Sequence, residues 1–471
     1  MPSAKAAVNI VMALASFREA RSVVELSLSP IFHYQYSSIS KTIHRIGTQE
    51  PEHLQRAIGA LCMGSFEAAN SPLLLQSDTT PVCKPHAPTL KDRTYVAVPN
   101  NVIAGNKSLN VGYDVSFVNL CDQEKRWSLP LSIQRVPPEK TASACALEQI
   151  ARLLCEFDDQ LVINTLDSKY GNAAYLGPAY AHENLVNVVR LKTGMKVWKE
   201  HLRRDTGGAP AHYGQKYYLC SSTGYKHYKS HPKTKEPYRV FRRSIFDLAA
   251  DEFVPLQAKT RKGRKLVVHL WRWRDMLLRS KSGESMKEKP LDLLAVEVCD
   301  EETGALVFGR PMFLAISGER KTEVSTEQGY QCYRGRYGIE PYFRFCKQRL
   351  LLSSYQTCSV DHFDSWLLMV QLASWLLYSA SEEVQFSPRK WEQYLPQSKG
   401  VQAGVALSMA QTRKGAERLF LTFESGPFKP GKYKKGSGRA KGAKQVPRKR
   451  YKVVKKRPTK TLFKHKTVQL E

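Results

Sequence analysis

The stretch Leu73-Leu-Leu-Gln-Ser-Asp78-Thr-Thr80 decides the fold that we expect for this chain. It is a short apolar run that ends in polar residues, which is typical of a buried strand that delivers an acid to the edge of a sheet. The same pattern recurs at Leu161-Val-Ile-Asn-Thr-Leu-Asp167. An aspartate at the end of a strand is more often a turn former, so neither run identifies a site by itself. The two runs predict two buried strands, each with an acid after it.

The residues between these runs predict two further strands and a helix. Apolar side chains alternate at period two from Leu109 to Phe117 and from Leu129 to Ile133, as in strands with one buried face. Apolar residues at helical spacing follow from Leu147, and Thr141 is a candidate cap for this helix. The predicted order is three strands, a helix and a fourth strand. Other acids compete with Asp78 and Asp167 for a functional role, namely Asp114, Asp158 and Asp159.

The stretch from Tyr333 to Leu350 holds one carboxylate, Glu340, among five cations. The cations are Arg334, Arg336, Arg344, Lys347 and Arg349. An ion-rich stretch that keeps a single acid suits an anionic ligand such as phosphate, held beside that acid. The alternative is an amphipathic helix with a solvated basic face. Both interpretations predict a helix with one apolar side.

Pro341 determines where this helix begins. Proline has no N–H and is tolerated only in the first turn of a helix. We therefore expect the helix to start near Gly338, with Tyr333 and Arg336 in the loop that leads into it. Glu340 and Lys347 then share one face, because they are seven residues apart.

The spacing Tyr333-x2-Arg336-x3-Glu340-x6-Lys347 resembles the signature around the third acid of a large group of bacterial insertion-sequence DDE transposases of the cut-and-paste type. The predicted strand order resembles the ribonuclease H-like core of those enzymes. The segment Asp167-Ser-Lys-Tyr-Gly171 is similar to the one that follows their second acid. The resemblance covers roughly residues 70–385. It implies an α/β fold, in which helices flank the mixed sheet of the catalytic core, and it implies that Asp78 and Asp167 meet in space.

The resemblance also implies the active site. Asp78, Asp167 and Glu340 are the expected catalytic and metal-binding acids, with two Mg²⁺ ions per site and Mn²⁺ as a substitute. Asp78 is expected to bridge both ions, which suits in-line displacement at a phosphodiester, and Mg²⁺ prefers oxygen ligands. The expected DNA contacts are Tyr333, Arg336, Arg344, Lys347, Trp271 and Trp273.

The long interval between Asp167 and Glu340 predicts an insertion rich in strands. Tyr213 to Arg243 interleaves tyrosines with lysines and arginines, which suits nucleic acid but also fits a solvated loop anchored by tyrosines. Lys265 to Arg274 predicts a strand that carries Trp271 and Trp273, and tryptophans on a strand are usually core. In the similar transposases a tryptophan of the insertion stacks on a flipped base. Residues 291–315 predict a closing hairpin around Thr303-Gly304.

Composition indicates a polyanionic partner. The 471 residues carry a net charge of +29, and residues 428–471 hold 17 Lys or Arg against one acid. Such a tail is typically a disordered interaction segment with salt-dependent DNA affinity. No run of 18 apolar residues is present, so no membrane partner is expected. Trp366 to Tyr378 is interpreted as a buried helix, and Val8 to Phe17 does not have the pattern of a signal peptide.

The ten cysteines form no C-x-x-C pair, so neither a zinc site nor a disulfide framework is expected. Reduced thiols are typical of a cytoplasmic protein, here one associated with a prokaryotic nucleoid. In chain order, the predicted regions are a helical region at 1–70, the first part of the core at 71–200, the β-rich insertion at 201–325, the second part of the core at 326–385, a C-terminal region at 386–427 and the disordered basic tail at 428–471. The helical region is either a DNA-binding module or a scaffold.

Together these patterns predict a transposase that cleaves terminal inverted repeats in a Mg²⁺-dependent reaction and joins them to target DNA. Double-stranded DNA is the expected partner, bound by a homodimer on paired ends. The resemblance also implies a hairpin intermediate, because one site must cut both strands. Two alternatives remain open. One is a DNA-binding protein that descends from such an enzyme without activity, and the other is a metal-dependent structure-specific nuclease.

Overall fold

The computed structural model describes residues 2–46, 57, 72–98, 109–157, 160–200, 213–220, 225–230, 234, 236–260, 263–280, 286–385, 394, 406–423, 440–444 and 446–455. The helices are α1 (Pro2–Ser16), α2 (Tyr36–Ile46), α3 (Ala142–Leu154), α4 (Ala173–Ala179), α5 (Thr326–Gly335), α6 (Ile339–Gln348), α7 (Val360–Ser379) and α8 (Met409–Phe423). Short 3₁₀ turns cover Val24–Leu28, Ile245–Asp247, Lys321–Glu323 and Arg336–Gly338.

The described residues also form fourteen strands, which together with these helices make a mixed α/β protein. They are β1 (Leu73–Cys83), β2 (Thr94–Ala97), β3 (Leu109–Asp122), β4 (Trp127–Arg135), β5 (Val162–Leu166), β6 (Leu185–Leu191), β7 (Lys196–Glu200), β8 (Tyr213–Tyr218), β9 (Tyr225–Ser230), β10 (Pro237–Arg242), β11 (Glu252–Lys259), β12 (Lys265–Met276), β13 (Leu291–Asp300) and β14 (Met312–Ser317). The predicted order of three strands, a helix and a fourth strand is present, with β2 as an additional short strand.

The chain forms two compact units. The first contains Met1–Phe66, Asp78–Ala146 and Gly338–Thr459, and the second contains Glu67–Ser77, Leu147–Tyr337 and Lys460–Glu471. Strand β1 belongs to both, because its first five residues lie in the second unit and the rest lie in the first.

The second unit is built on a large mixed sheet. Its strand order is β11-β12-β13-β14-β6-β5-β1, with β1, β5 and β6 parallel and the remaining neighbours antiparallel. Every residue of β5 is buried, as expected for a parallel strand that is covered on both faces. Helix α5 packs against β5 and β6.

The predicted insertion continues this sheet, since β14 pairs with β6. The hairpin predicted at 291–315 is formed by β13 and β14, and Gly304 adopts a positive φ of 67° at its turn. Its second strand begins later than the pattern indicated, at Met312, and Leu306 makes only an isolated bridge to Cys299. Pro311 directly precedes β14, and a proline cannot donate to a strand ladder.

The first unit packs helices against one another and against β4. Helix α1 contacts α2, α7 and α8, so the apolar start of the chain is part of a folded core. Trp375 and Gln371 of α7 donate hydrogen bonds to the carbonyl oxygens of Pro130 (2.7 Å) and Leu131 (2.7 Å) in β4. The prediction of a buried helix at Trp366 to Tyr378 is confirmed. None of the described helices is both long enough and apolar enough to cross a bilayer.

The prediction that the first strand ends at Asp78 is wrong. Strand β1 continues to Cys83, because Thr79, Thr80 and Val82 are β-branched residues that favour extended backbone. Asp78 therefore lies inside a strand.

Two other predictions concern regions that the structure describes only in part. The predicted disordered tail is wrong for Tyr451 to Val454, where Tyr451 N donates to Pro88 O (2.8 Å) and Val454 N donates to Arg93 O (2.7 Å). These backbone hydrogen bonds hold basic residues that their composition alone predicts to be solvated. Most of 428–471, and 47–70 of the predicted helical region except residue 57, lie outside the described residues, as do Asp158 and Asp159.

Candidate active site

The register between β1 and β5 aligns the residues that precede two of the predicted acids. Ser77 pairs with Leu166, and Asp78 and Asp167 are the next residues of their chains. The Ser77 hydroxyl donates to Asn164 Oδ1 at 2.8 Å, and the Asn164 amide donates to Asn187 Oδ1 at 3.2 Å. All three side chains are buried. Buried polar partners favour one register, because a slip of one residue leaves them unsatisfied.

Sequence reasoning missed this hydrogen-bonded network. The sequence does indicate such a network, because polar residues occur inside the apolar runs. A polar residue in a buried strand needs a hydrogen-bond partner. Another buried polar residue of β1 is Gln76, which is fully buried and whose amide donates to Gly335 O at 2.8 Å. Gly335 is the last residue of α5, so this bond ties β1 to the residue directly before Arg336.

The segment after Asp167 is a tight turn. Lys169 N donates to Asp167 Oδ1 at 2.8 Å, and Tyr170 is buried. A Cβ at Gly171 would lie 2.5 Å from Arg190 O in β6, so only glycine fits there without displacing the backbone. These contacts hold the half-exposed carboxylate of Asp167 directly after its strand.

Tyr333 and Arg336 lie in helical structure, so the prediction of a lead-in loop is wrong. Helix α5 is capped by Ser325 Oγ, which accepts from Gln328 N at 3.1 Å, and it continues to the 3₁₀ turn that begins at Arg336. Pro341 is compatible with helix α5, because a proline restricts only the residues within about one turn before it.

The second unit brings Tyr333, Arg336 and Asp167 together. The Arg336 guanidinium lies 5.8 Å from the centre of the Tyr333 ring. Burial raises the pKa of the Tyr333 hydroxyl, Arg336 and Arg190 act to lower it, and Asp167 adds to the increase. Two cations and one acid are thus close enough to act on the same hydroxyl.

Glu340 is exposed in the first turn of α6, which begins at Ile339 as predicted from Pro341. An acid is favourable there because the helix N-terminus carries partial positive charge. The opposite face is buried, with Tyr342 Oη 3.0 Å from Ser374 Oγ and the Phe343 ring 4.9 Å from Phe117. This packing holds the helix that presents Glu340 to solvent.

Lys347 is half-buried and Arg344 is exposed on the same helix. Burial lowers the pKa of Lys347, and Cys83 and Cys346 act to raise it. The interaction with Cys83 places Lys347 near the end of β1.

Two interactions involve residues that flank Asp78 and Glu340 in the sequence. Gln76 contacts Gly335 before both acids, and Cys83 interacts with Lys347 after both.

The donor chemistry of Asp78, Asp167 and Glu340 fits a divalent cation, because Mg²⁺ prefers carboxylate oxygens. Among the residues that the structure describes, however, no group of three or more His, Cys, Asp or Glu side chains is placed to hold a metal ion. Carboxylates repel each other by about 4 kcal/mol at roughly 4 Å near a protein surface. The acids thus provide suitable ligands without forming an assembled three-ligand site.

The two predicted tryptophans differ in accessibility. Trp273 is 1% exposed and its Nε1 donates to Leu248 O at 2.9 Å, so it is a core residue and the prediction that it contacts DNA is wrong in this structure. Trp271 is half-exposed and makes edge contacts with Phe246, Phe253 and His269. Trp271 alone of the pair keeps surface available for a ligand.

The α/β fold and the predicted acids are compatible with an enzyme that acts on phosphodiesters, and a comparison with known families identifies the class. The sequence matches the family model described as DDE superfamily endonuclease over residues 3–239. This is just over half of the chain, and the protein belongs to that family. No curated protein matches the sequence.

The family match has consequences for the site. It starts within α1, so the N-terminal helices are part of the family's region, and it includes Asp78 and Asp167 but ends before Glu340. The family comprises nucleases and transposases, which makes DNA the substrate. Its enzymes generally use divalent metal ions.

Proposed function

We propose that this protein is an insertion-sequence transposase of the cut-and-paste type. It cleaves DNA at the terminal inverted repeats of an element and joins the freed ends to target DNA, in the cytoplasm at a prokaryotic nucleoid. The observation that carries the proposal is the register of β1 with β5, in which Ser77 pairs with Leu166 directly before the two aspartates. Tyr333, Arg336, Glu340 and Lys347 supply the remaining parts of the signature.

In this proposal Asp78, Asp167 and Glu340 hold two Mg²⁺ ions, for which Mn²⁺ substitutes. When bound, the ions activate the attacking oxygen and stabilise the leaving oxygen. The repulsion between the acids is relieved by the cations and the scissile phosphate. We therefore expect the three carboxylates to come together as one metal-binding site when metal ions and DNA are both bound.

The cations beside the acids orient the DNA backbone. Arg336 offers a planar fork of donors to a phosphate, whereas Lys347 and the exposed Arg344 act through charge. Tyr333 lies beneath the Arg336 guanidinium, and Gln76 holds the residue before Arg336. The guanidinium is thereby restricted before DNA binds.

The proposal is tested by incubating the protein with DNA that carries the element's ends. With Mg²⁺ we expect a nick, then a hairpin formed when the freed 3′-hydroxyl attacks the opposite strand, then open ends. With EDTA in place of Mg²⁺, DNA is bound but not cut. Denaturing electrophoresis resolves the hairpin, which runs at twice the single-strand length. Nicking of unrelated DNA with equal efficiency would instead favour a structure-specific nuclease.

Trp271→Ala is expected to slow hairpin formation about tenfold while the first nick proceeds at the native rate. The hairpin requires a sharply bent end with an unstacked base, which costs a few kcal/mol, and stacking on an aromatic side chain offsets that cost. Phe253→Ala is the matched control, because Phe253 is an exposed neighbour of Trp271. Equal slowing of both steps by Trp271→Ala would argue against stacking.

The active form is expected to be a homodimer on two paired ends, because each protomer contributes one set of acids and both ends must be cut. Size-exclusion chromatography with light scattering should show two protein chains and two end DNAs in the complex. Complete excision of a single end by a DNA-bound monomer would contradict this expectation.

A further inference from the structure

The sequence between Tyr213 and Arg243 contains a cation-rich aromatic surface that the proposed active site does not use. Strands β7 and β8 form an antiparallel hairpin in which Lys196 pairs with Tyr218 and Trp198 pairs with Lys216. Because side chains alternate across a strand, these four residues share one face. The other face is buried through Val197 and Tyr217, so the cationic face is directed away from the core.

Tyr218 lies at the centre of this face. Three cations surround its ring, with Arg242 Cζ at 4.9 Å, Lys196 Nζ at 5.5 Å and Lys216 Nζ at 5.6 Å from the ring centre. Within the described chain, neither lysine forms an ion pair with a carboxylate. The two lysines therefore add positive charge that favours an anion beside this ring.

The backbone around Tyr218 is held on both sides. Tyr218 N donates to Arg243 O at 2.9 Å, and Leu219 N donates to Met195 O at 2.9 Å. After Arg243 the chain is fixed by a capping box, in which Ser244 N donates to Asp247 Oδ2 at 2.8 Å. The ring and the arginine beside it are therefore presented on rigid backbone, which lowers the entropy cost of binding.

A cavity of about 280 Å³ opens beside the ring. Leu219, Pro311 and Tyr218 contribute apolar surface to it, Arg242 and Arg310 contribute positive charge, and none of its lining residues is acidic. An apolar cavity with arginines suits a flat base whose phosphate remains at the edge. A continuous duplex presents its phosphates outside and keeps its bases stacked, so it cannot fill such a cavity.

We infer that this cavity, which we call the Tyr218 site, binds one unpaired nucleotide of a DNA strand. The base lies against Tyr218, and the adjoining phosphate is held by Arg242 and Arg310. The inference rests on the proposed function for the source of unpaired DNA, since strand cleavage and hairpin opening expose single-stranded ends. It assigns to the insertion a second DNA contact that is separate from Trp271.

The test measures binding of a labelled short oligothymidine by the full chain in EDTA, using fluorescence anisotropy. Tyr218→Ala is expected to raise the Kd about tenfold, as for loss of one stacked base, and Tyr218→Phe should retain near-native affinity. Arg310→Ala should raise the Kd severalfold and reduce the salt dependence by about one phosphate contact. Phe253→Ala removes an exposed aromatic residue elsewhere in the same unit and should leave the Kd unchanged.

Two further binding measurements distinguish contact with a base from contact with the DNA backbone. A strand that lacks bases should bind native protein and Tyr218→Ala equally, whereas a duplex of the same sequence should be insensitive to Tyr218→Ala. An unchanged oligothymidine Kd in Tyr218→Ala, or equal weakening of single strand and duplex, overturns the inference. Glu340→Ala should bind oligothymidine normally. A protein that binds through Tyr218 but never cuts end DNA would refute the transposase proposal and leave the Tyr218 site intact.

Discussion

Replacing Asp78, Asp167 or Glu340 with alanine is expected to reduce strand cleavage by on the order of a thousandfold or more, while binding of end DNA stays within a few-fold of native. Each carboxylate is proposed to hold a divalent cation that stabilises charge at the scissile phosphate, and loss of one preorganised stabilising group typically costs roughly 10²–10³ in rate. DNA affinity depends instead mainly on cations. Cleavage is measured on labelled end DNA in Mg²⁺, and affinity is measured by gel shift in EDTA.

Asp114→Ala is the matched control for the acids, because Asp114 lies on β3 and was the competing acid on a strand. It should cleave at the native rate. Because Glu340 is exposed and neither Asp78 nor Asp167 is fully buried, the variants are expected to fold, and their circular dichroism spectra should match that of the native protein. Native cleavage by any one of the three variants would remove that residue from the proposed site.

Replacing Arg272 with alanine is expected to lower the free energy of unfolding by about 3–5 kcal/mol, as is typical when one partner of a buried ion pair is removed. Arg272 Nη2 lies 2.6 Å from Asp292 Oδ2, and their side chains are 4% and 1% exposed. Arg272 Nη1 also donates to Val324 O at 2.8 Å, just before α5. The substitution leaves Asp292 buried, with Lys321 Nζ and the Asp275 N–H as donors to its Oδ1.

Urea denaturation measures this loss, and Arg264→Ala is the control. Arg264 Nε lies 2.6 Å from Asp300 Oδ2, but the arginine side chain is 55% exposed. Exposed ion pairs contribute at most about 1 kcal/mol, so Arg264→Ala should have little effect. Equal destabilisation by both variants would contradict the expectation that the buried ion pair contributes more to stability than the exposed one.

The same ion pair predicts a pH dependence. Burial acts to raise the pKa of Asp292, but hydrogen bonds from Lys321 and Arg272 outweigh it and hold the pKa below its ordinary value. A group with a lowered pKa stabilises the fold above its unfolded pKa, and this contribution is lost as the pH falls through the folded pKa. The difference in stability between native protein and Arg272→Ala should therefore be largest near neutral pH and shrink below about pH 4.

The local elements could be predicted from the sequence because they depend on neighbouring residues. The alternation from Leu109, the cap at Thr141 and the start of α6 at Pro341 all follow from periodicity and backbone chemistry. Thr141 Oγ1 accepts from Ala144 N at 3.1 Å, as a helix cap does. The assignment of Asp78, Asp167 and Glu340 as the catalytic set is still a prediction, based on motif spacing. The family match spans Asp78 and Asp167 and ends before Glu340.

The sequence by itself determined the strands that carry Asp78 and Asp167, the helix that carries Glu340, and the positive charge that indicates a polyanion. Only the tertiary structure decided that Trp273 is core while Trp271 is half-exposed, and that Gln76 holds the end of α5 beside Arg336. It also decided that three cations gather around Tyr218. The physical reason is that periodicity reports on residues within one element, whereas these contacts depend on pairing between residues far apart in the chain. A side chain's environment is set by the element that packs against it.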